Sequence, residues 1–197
     1  QHTEFEERLR QKLNLQEDEI LISMFGFVNQ NKRPESILAA SKNLMKKGYS
    51  IRLVFWGKSN MDHLEALISS YGLAEYTTVT GFIDKTTYEL GLELSDLVVN
   101  LRYPSMGESS GTLCEAFKFG KPVIVSDLNQ YTEFPDEVCW KIPVEHGEVE
   151  CLTQMLEYLI ENPEVRAALG ENAKAYADYV LAPQRIAEEY RRILAKQ

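Results

Sequence analysis

Apolar positions along this chain fall into two periods. Short runs at Ile20–Phe25, Ile51–Trp56, Thr77–Thr80, Leu97–Leu101 and Pro122–Ser126, with Val138–Ile142 as a sixth, are mostly continuous in apolar or β-branched residues. Continuity rather than alternation is what parallel strands need, because helices cover both of their faces. Segments of helical period lie between them. Pro34–Lys47 has proline in its first turn and stops at Gly48, and Met61–Tyr71 stops at Gly72. A third begins with the capping-box pattern Thr86-Thr-Tyr-Glu89 and runs to about Ser95. A fourth, Thr112–Phe119, is closed by Gly120 and followed by Pro122. Strand and helix in strict alternation predict an α/β fold, a Rossmann-like doubly wound parallel sheet.

Both ends of the chain depart from that alternation. Strands cease after about Glu148, where Leu152, Met155, Leu156, Leu159 and Ile160 share one helical face. Asn162-Pro163 opens a further helix, and Pro183 opens a last one carrying Ile186, Tyr190 and Ile193. At the front, Phe5, Leu9 and Leu13 are spaced four apart, as in one amphipathic helix that reads as a connection. There is no internal repeat and no Gly/Ser linker, so residues 1–197 are read as one domain.

Charge and cysteine count narrow the field. The chain holds 21 basic and 30 acidic residues, a net charge of −9, with no basic block. That argues against nucleic acid as a partner, though a local nest of N–H groups could still bind a nucleotide. No apolar run is long enough for a membrane span, and no signal peptide opens the chain, which favours a cytoplasmic protein. The three cysteines, Cys114, Cys139 and Cys151, lack a CxxC spacing, as expected of reduced thiols. Neither they nor His2, His63 and His146 form a metal-ligand pattern or a triad.

The stretch from Pro104 to Val125 carries the most chemistry. It reads as a loop bounded by Gly107 and Gly111, a short helix, a glycine stop and an apolar strand. Glycines let several N–H groups converge, and the helix adds its positive end, so Ser109, Ser110, Gly111 and Thr112 read as an anion cradle suited to a diphosphate. Glu108 and Glu115 flank that cradle. Carboxylates are poor phosphate holders but good acceptors for sugar hydroxyls on either side of one.

This segment resembles the donor-binding signature of the retaining glycosyltransferases of family four, which have the GT-B fold. The resemblance implies that Glu108 contacts the transferred sugar and that Glu115 binds the ribose hydroxyls. Six residues separate the two glutamates, one fewer than is usual in the family. The loop from Gly26 to Arg33 resembles the family's Gly-Arg-x-x-x-x-Lys loop, whose cations neutralise the diphosphate. Lys32 keeps the lysine spacing, while Phe27 stands where the family has arginine, so either Arg33 or Arg102 supplies the second cation or backbone and Lys32 hold the diphosphate. Val79-Thr-Gly-Phe-Ile-Asp84 resembles the family's Gly-Phe turn, which places Phe82 and Ile83 beside the base. Trp56-Gly57-Lys58 is expected only to shape the cleft. The chain has no Asp-x-Asp, so the resemblance implies a nucleotide sugar as donor, no metal and no other cofactor.

The resemblance covers about residues 8–195 but only the C-terminal half of such an enzyme. It therefore implies an acceptor-binding N-terminal domain outside this sequence, with membrane contact only through that half. It also implies that these residues alone bind donor without turning it over, and that the helix after Pro183 leaves Tyr190 or Ile193 uncovered. Two other classes stay open at this point: a nucleotide-sugar epimerase of the same fold, and a non-catalytic nucleotide-binding module.

Overall fold

The computed structural model describes residues 2–105, 107 and 110–195. Six strands form one sheet: β1 Ile20–Phe25, β2 Ile51–Trp56, β3 Thr77–Val79, β4 Leu97–Asn100, β5 Val123–Ser126 and β6 Trp140–Ile142. All neighbours pair in parallel, in the order β3-β2-β1-β4-β5-β6. The order reverses between β1 and β4, so the chain leaves those two strands in opposite directions. That leaves a crevice beyond their carboxyl ends. The expected doubly wound sheet is the one observed.

Helices cover both faces. They are α1 His2–Lys12, α2 Pro34–Lys46, α3 Leu64–Ser70, α4 Lys85–Leu94, α5 Gly111–Lys118, α6 Glu148–Glu161, α7 Pro163–Tyr179 and α8 Pro183–Leu194. Side chains alternate through the strands and split the core into two layers. Ile22, Met24, Leu53 and Phe55 pack with Ile37, Leu38, Leu44 and Leu156, the side of α2, α3 and α6. Leu21, Phe25, Val54 and Trp56 pack with Leu9, Leu13, Leu90, Phe117 and Ala173, the side of α1, α4, α5 and α7. Phe55 and Phe117 are fully buried, one in each layer. Truncating either to alanine costs about 3–5 kcal/mol.

Several boundaries differ from the sequence reading, each for a local reason. The second predicted helix begins at Leu64 rather than Met61, because Asp62 and His63 lie in a turn. The cap of α4 is Asp84, whose carboxylate accepts the Thr87 N–H at 2.8 Å, so the helix starts before the Thr86 box. β6 begins at Trp140 because the Val138 and Cys139 amides turn back to the Pro135 carbonyl. The front amphipathic segment is α1, with Leu9 and Leu13 buried and Phe5 exposed. On α8, Ile186, Tyr190, Ile193 and Leu194 are all exposed, Tyr190 to 65%.

The strand-end loops approach one another closely. A Cβ on Gly57 would lie 2.2 Å from the Gly26 carbonyl oxygen, a distance no side chain tolerates. Gly57 thus lets the loops after β1 and β2 touch backbone to backbone, and Val28 pairs with Ser59 just beyond.

Candidate donor site

Lys32 ends a one-turn 3-10 helix, Gln30–Lys32, that Asn29 caps by accepting the Lys32 N–H. This turn folds the Lys32 side chain back over the end of β1, where its ammonium donates to the Phe25 carbonyl. Only 5% of Lys32 is exposed. Burial, and then the positive charge of Arg102, lower its pKa from the usual lysine range to about 8. A Cβ on Gly26 would lie 2.8 Å from Lys32 Nζ and 3.3 Å from Thr112 Cγ2. Gly26, the Lys32 ammonium and the first turn of α5 therefore meet at one point. That point lies where the strand order reverses.

Helix α5 begins where the anion reading puts it. Ser110 is its N-cap, with the hydroxyl accepting the Leu113 N–H at 3.3 Å. The same hydroxyl is bonded to Asn100 Nδ2 at 3.2 Å, and the Thr112 hydroxyl donates to Asn100 Oδ1 at 3.2 Å. Asn100 ends β4 and is 3% exposed, so a buried carboxamide orients the start of the helix. The Ser110 and Thr112 hydroxyls are thus occupied within the protein, and the cradle expected from the sequence would rest on their backbone N–H groups. The sequence reading missed Asn100. Its signal was a polar residue closing an apolar strand.

Arg102 sits two residues beyond β4, its N–H donating to Ser126 Oγ at 2.9 Å, and its charge reaches Lys32. Arg33 does something else. Its Nε donates to Glu148 Oε1 at 2.9 Å, and Glu148 is 1% exposed. Of the two cations expected near Lys32, Arg102 is the one whose charge Lys32 feels, and Arg33 is bound to the first residue of α6.

Glu115 lies on α5 with its carboxylate 40% exposed, accepting from Lys118 Nζ at 2.7 Å. Its charge also reaches Tyr88, whose phenol is pushed up to about 12 by burial first and by Glu115 second. Tyr88 lines a cavity of about 270 Å³ together with Gly26, Phe27, Trp56, Phe82 and Ile83. Phe82 is 79% exposed, and Lys58 Nζ stands 5.7 Å from its ring centroid. A flat aromatic ligand could enter between Phe27 and Phe82. Tyr88 and Lys58 were not among the expected site residues. Glu108 and Ser109, which the sequence reading gave to the sugar and the cradle, lie outside the described residues.

Burial raises all three thiol pKa values, that of Cys139 to about 11, so Cys114 beside the site is no activated nucleophile. Among the described residues, no group of three His, Cys, Asp or Glu is placed to hold a metal ion. Nor is any helix among them long and apolar enough to cross a membrane.

A parallel doubly wound sheet with Lys32 and a helix N-terminus at its switch point defines a Rossmann-like α/β domain. The chain belongs to the family described as glycosyl transferases group 1, which matches residues 5–176. It is 27% identical over 167 residues to alpha-D-kanosaminyltransferase of Streptomyces kanamyceticus, covering 84% of this chain and 42% of that protein. The chain spans about two fifths of the length of the curated relatives it matches. Among solved structures it resembles Anabaena Alr3699/HepE in complex with UDP-glucose, with a TM-score of 0.78 and 20% identity. That match covers 95% of this chain and 52% of the other. It also resembles the C-terminal domain of LpcC, a glycosyl transferase group 1 family protein from Francisella tularensis. There the TM-score is 0.71 at 20% identity, covering 90% of this chain and 93% of that one. These two likenesses establish the fold.

Proposed function

We propose that this chain is the C-terminal, donor-binding domain of a retaining GT-B glycosyltransferase. It would hold a nucleoside-diphosphate sugar while a hexose-type group passes to an acceptor on an N-terminal domain. The observation that carries this reading is the meeting of Lys32, the charge of Arg102 and the first turn of α5 at the switch between β1 and β4. Two fixed cations and a helix N-terminus suit a diphosphate. The base lies between Phe27 and Phe82, and the ribose hydroxyls donate to Glu115. Glu108 faces the sugar, as the resemblance implies. Lys32 and Arg102 provide the countercharge that a divalent metal would otherwise bring, so donor binding is metal-independent. The exposed apolar face of α8 packs on the N-terminal domain, and the reaction needs both walls of that cleft. The three free thiols agree with a cytoplasmic setting.

Thermal shift of the chain against UDP, GDP and ADP, with and without EDTA, tests the reading. One diphosphate should raise the melting temperature equally in both conditions. Glu115→Ala should weaken that ligand by roughly ten- to hundredfold in calorimetry, the value of hydrogen bonds to a charged acceptor. Undiminished affinity removes the ribose role, and binding that EDTA abolishes contradicts the metal-free site. In the full-length protein, labelled nucleotide sugars separate transfer from isomerisation and from binding alone.

A further inference from the structure

Lys32 and Arg102 are like charges held near each other, one of them buried, and like charges separate unless the backbone beneath them is fixed. Three loops at the carboxyl end of the sheet are tied together around this pair. The Tyr103 N–H donates to the Asn31 carbonyl at 2.7 Å, joining the residue after Arg102 to the residue before Lys32. The Tyr103 hydroxyl donates to Glu145 Oε2 at 3.3 Å. The Glu145 N–H donates to Glu148 Oε2 at 3.1 Å, and Glu148 Oε1 accepts from Arg33 Nε at 2.9 Å. The circuit then closes, because Arg33 adjoins Lys32. Two of its members, Arg33 at φ 56° and Glu145 at φ 63°, hold left-handed backbone, which non-glycine residues adopt at a cost and keep only where their surroundings impose it.

We propose that Glu148 is a positioning residue for the diphosphate site. Through Arg33 on one side and Glu145 and Tyr103 on the other, it clamps the turn carrying Lys32 against the loop carrying Arg102. The clamp rests on the donor-site reading for its purpose but not for its existence. Glu148 touches no ligand. Its carboxylate is buried, accepts on both oxygens and joins the end of the chain's last strand–helix connection to its first. With this circuit intact the two cations stand ready before ligand arrives, which removes the cost of assembling them at binding.

The test uses Glu148→Gln and Arg33→Met in this chain. The control is Glu19→Gln, which breaks another buried pair, that with Arg52, whose side chains are 6% and 5% exposed. Two quantities are read: the affinity for inorganic pyrophosphate, and the titration midpoint of the Lys32 ammonium in ligand-free protein by heteronuclear NMR. Both clamp variants should weaken pyrophosphate roughly tenfold. The Lys32 midpoint should also rise from about 8 by about one pH unit, as Arg102 moves off and water enters. Glu19→Gln should lower the melting temperature comparably and change neither. A Lys32 midpoint unmoved in the folded clamp variants, or moved as far in the control, overturns the clamp. Wild-type chain that ignores pyrophosphate sinks the diphosphate reading instead, while the Lys32 titration still decides the clamp.

Discussion

Two buried ion pairs bracket this sheet, and they serve different ends. At the amino end of β2, Arg52 grips Glu19 with both Nε and Nη2, at 3.1 and 2.8 Å, and its Nη1 donates to the Glu75 carbonyl. Glu19 Oε2 also accepts the Gln16 N–H at 3.0 Å, so every partner in that cluster lies in the loops at the amino end of the sheet. At the carboxyl end, Arg33 reaches Glu148 with Nε alone, and the second carboxylate oxygen turns to a loop amide. The first pair ties β2 to the loops before β1 and β3 and adds to stability. The second is open-ended and passes its rigidity to neighbours that carry charge for a ligand. In both cases a buried glutamate holds an arginine and accepts one loop amide, although Arg33 is 28% exposed and Arg52 only 5%. What differs is whether the partners belong to a place where something else must bind.

The contrast can be broken most forcefully at the amino end. Removing one partner of a buried pair strands the other, at a cost of about 3–5 kcal/mol. Glu19→Ala should lower stability by that amount in denaturant titrations while nucleotide affinity stays put. An affinity loss matching the stability loss would erase the distinction between the two ends.

A second expectation concerns Lys32, whose burial gains nothing for the fold. Its folded pKa of about 8 lies below the ordinary lysine value of 10.5. The unfolded chain therefore holds the proton over a window in which the native state has released it. Stability from this residue rises with pH between those values, by up to about 3 kcal/mol, and is absent below pH 8. Lys32→Met should be the more stable protein at neutral pH and should lose this increment. Its curve must be subtracted from wild type, because Cys139 also titrates late. Diphosphate affinity should fall as pH rises above 8. A wild-type-minus-variant difference flat in pH would mean the ammonium is better solvated than its burial implies.

The smallest effect belongs to a pair that neither end needs. Arg8 and Glu4 on α1 are 2.6 Å apart, with side chains 72% and 66% exposed. Glu4→Gln should cost about 0.3–0.5 kcal/mol and vanish in high salt. A larger loss would mean that the leading helix is held by more than Leu9 and Leu13.

The sheet was legible because its signal is local. Ile20–Phe25 and Ile51–Trp56 match the observed strands residue for residue, as unbroken apolar runs bounded by polar turns should. The ends were harder where a turn competes for the same amides, as at Val138 and Cys139. Of the candidate site, Lys32 drew notice through the resemblance of its loop to the family's, and Ser110 and Gly111 through the glycine loop before a helix. The pairing of Arg33 was not, since its partner lies 115 residues away. Glu148 carries no distinguishing mark either. An acid in the first turn of α6 looks like an ordinary answer to the helix dipole. Only burial reveals that its carboxylate is committed elsewhere.

The circuit through Asn31, Tyr103, Glu145 and Glu148 also sets an order of events. Its contacts join residues from the first, fourth and sixth strand-end loops, so no early segment of the nascent chain can complete it. Local helices and the β1–β2 pairing can form first, whereas contacts of long sequence separation come after the loop entropy has been met. The ligand site should then be the last part of the molecule to mature, emerging only once α6 has docked. Pulse-labelled hydrogen exchange should find the Tyr103 and Glu145 amides protected later than those of β1. A polypeptide released before residue 148 would own most of its sheet and none of its grip.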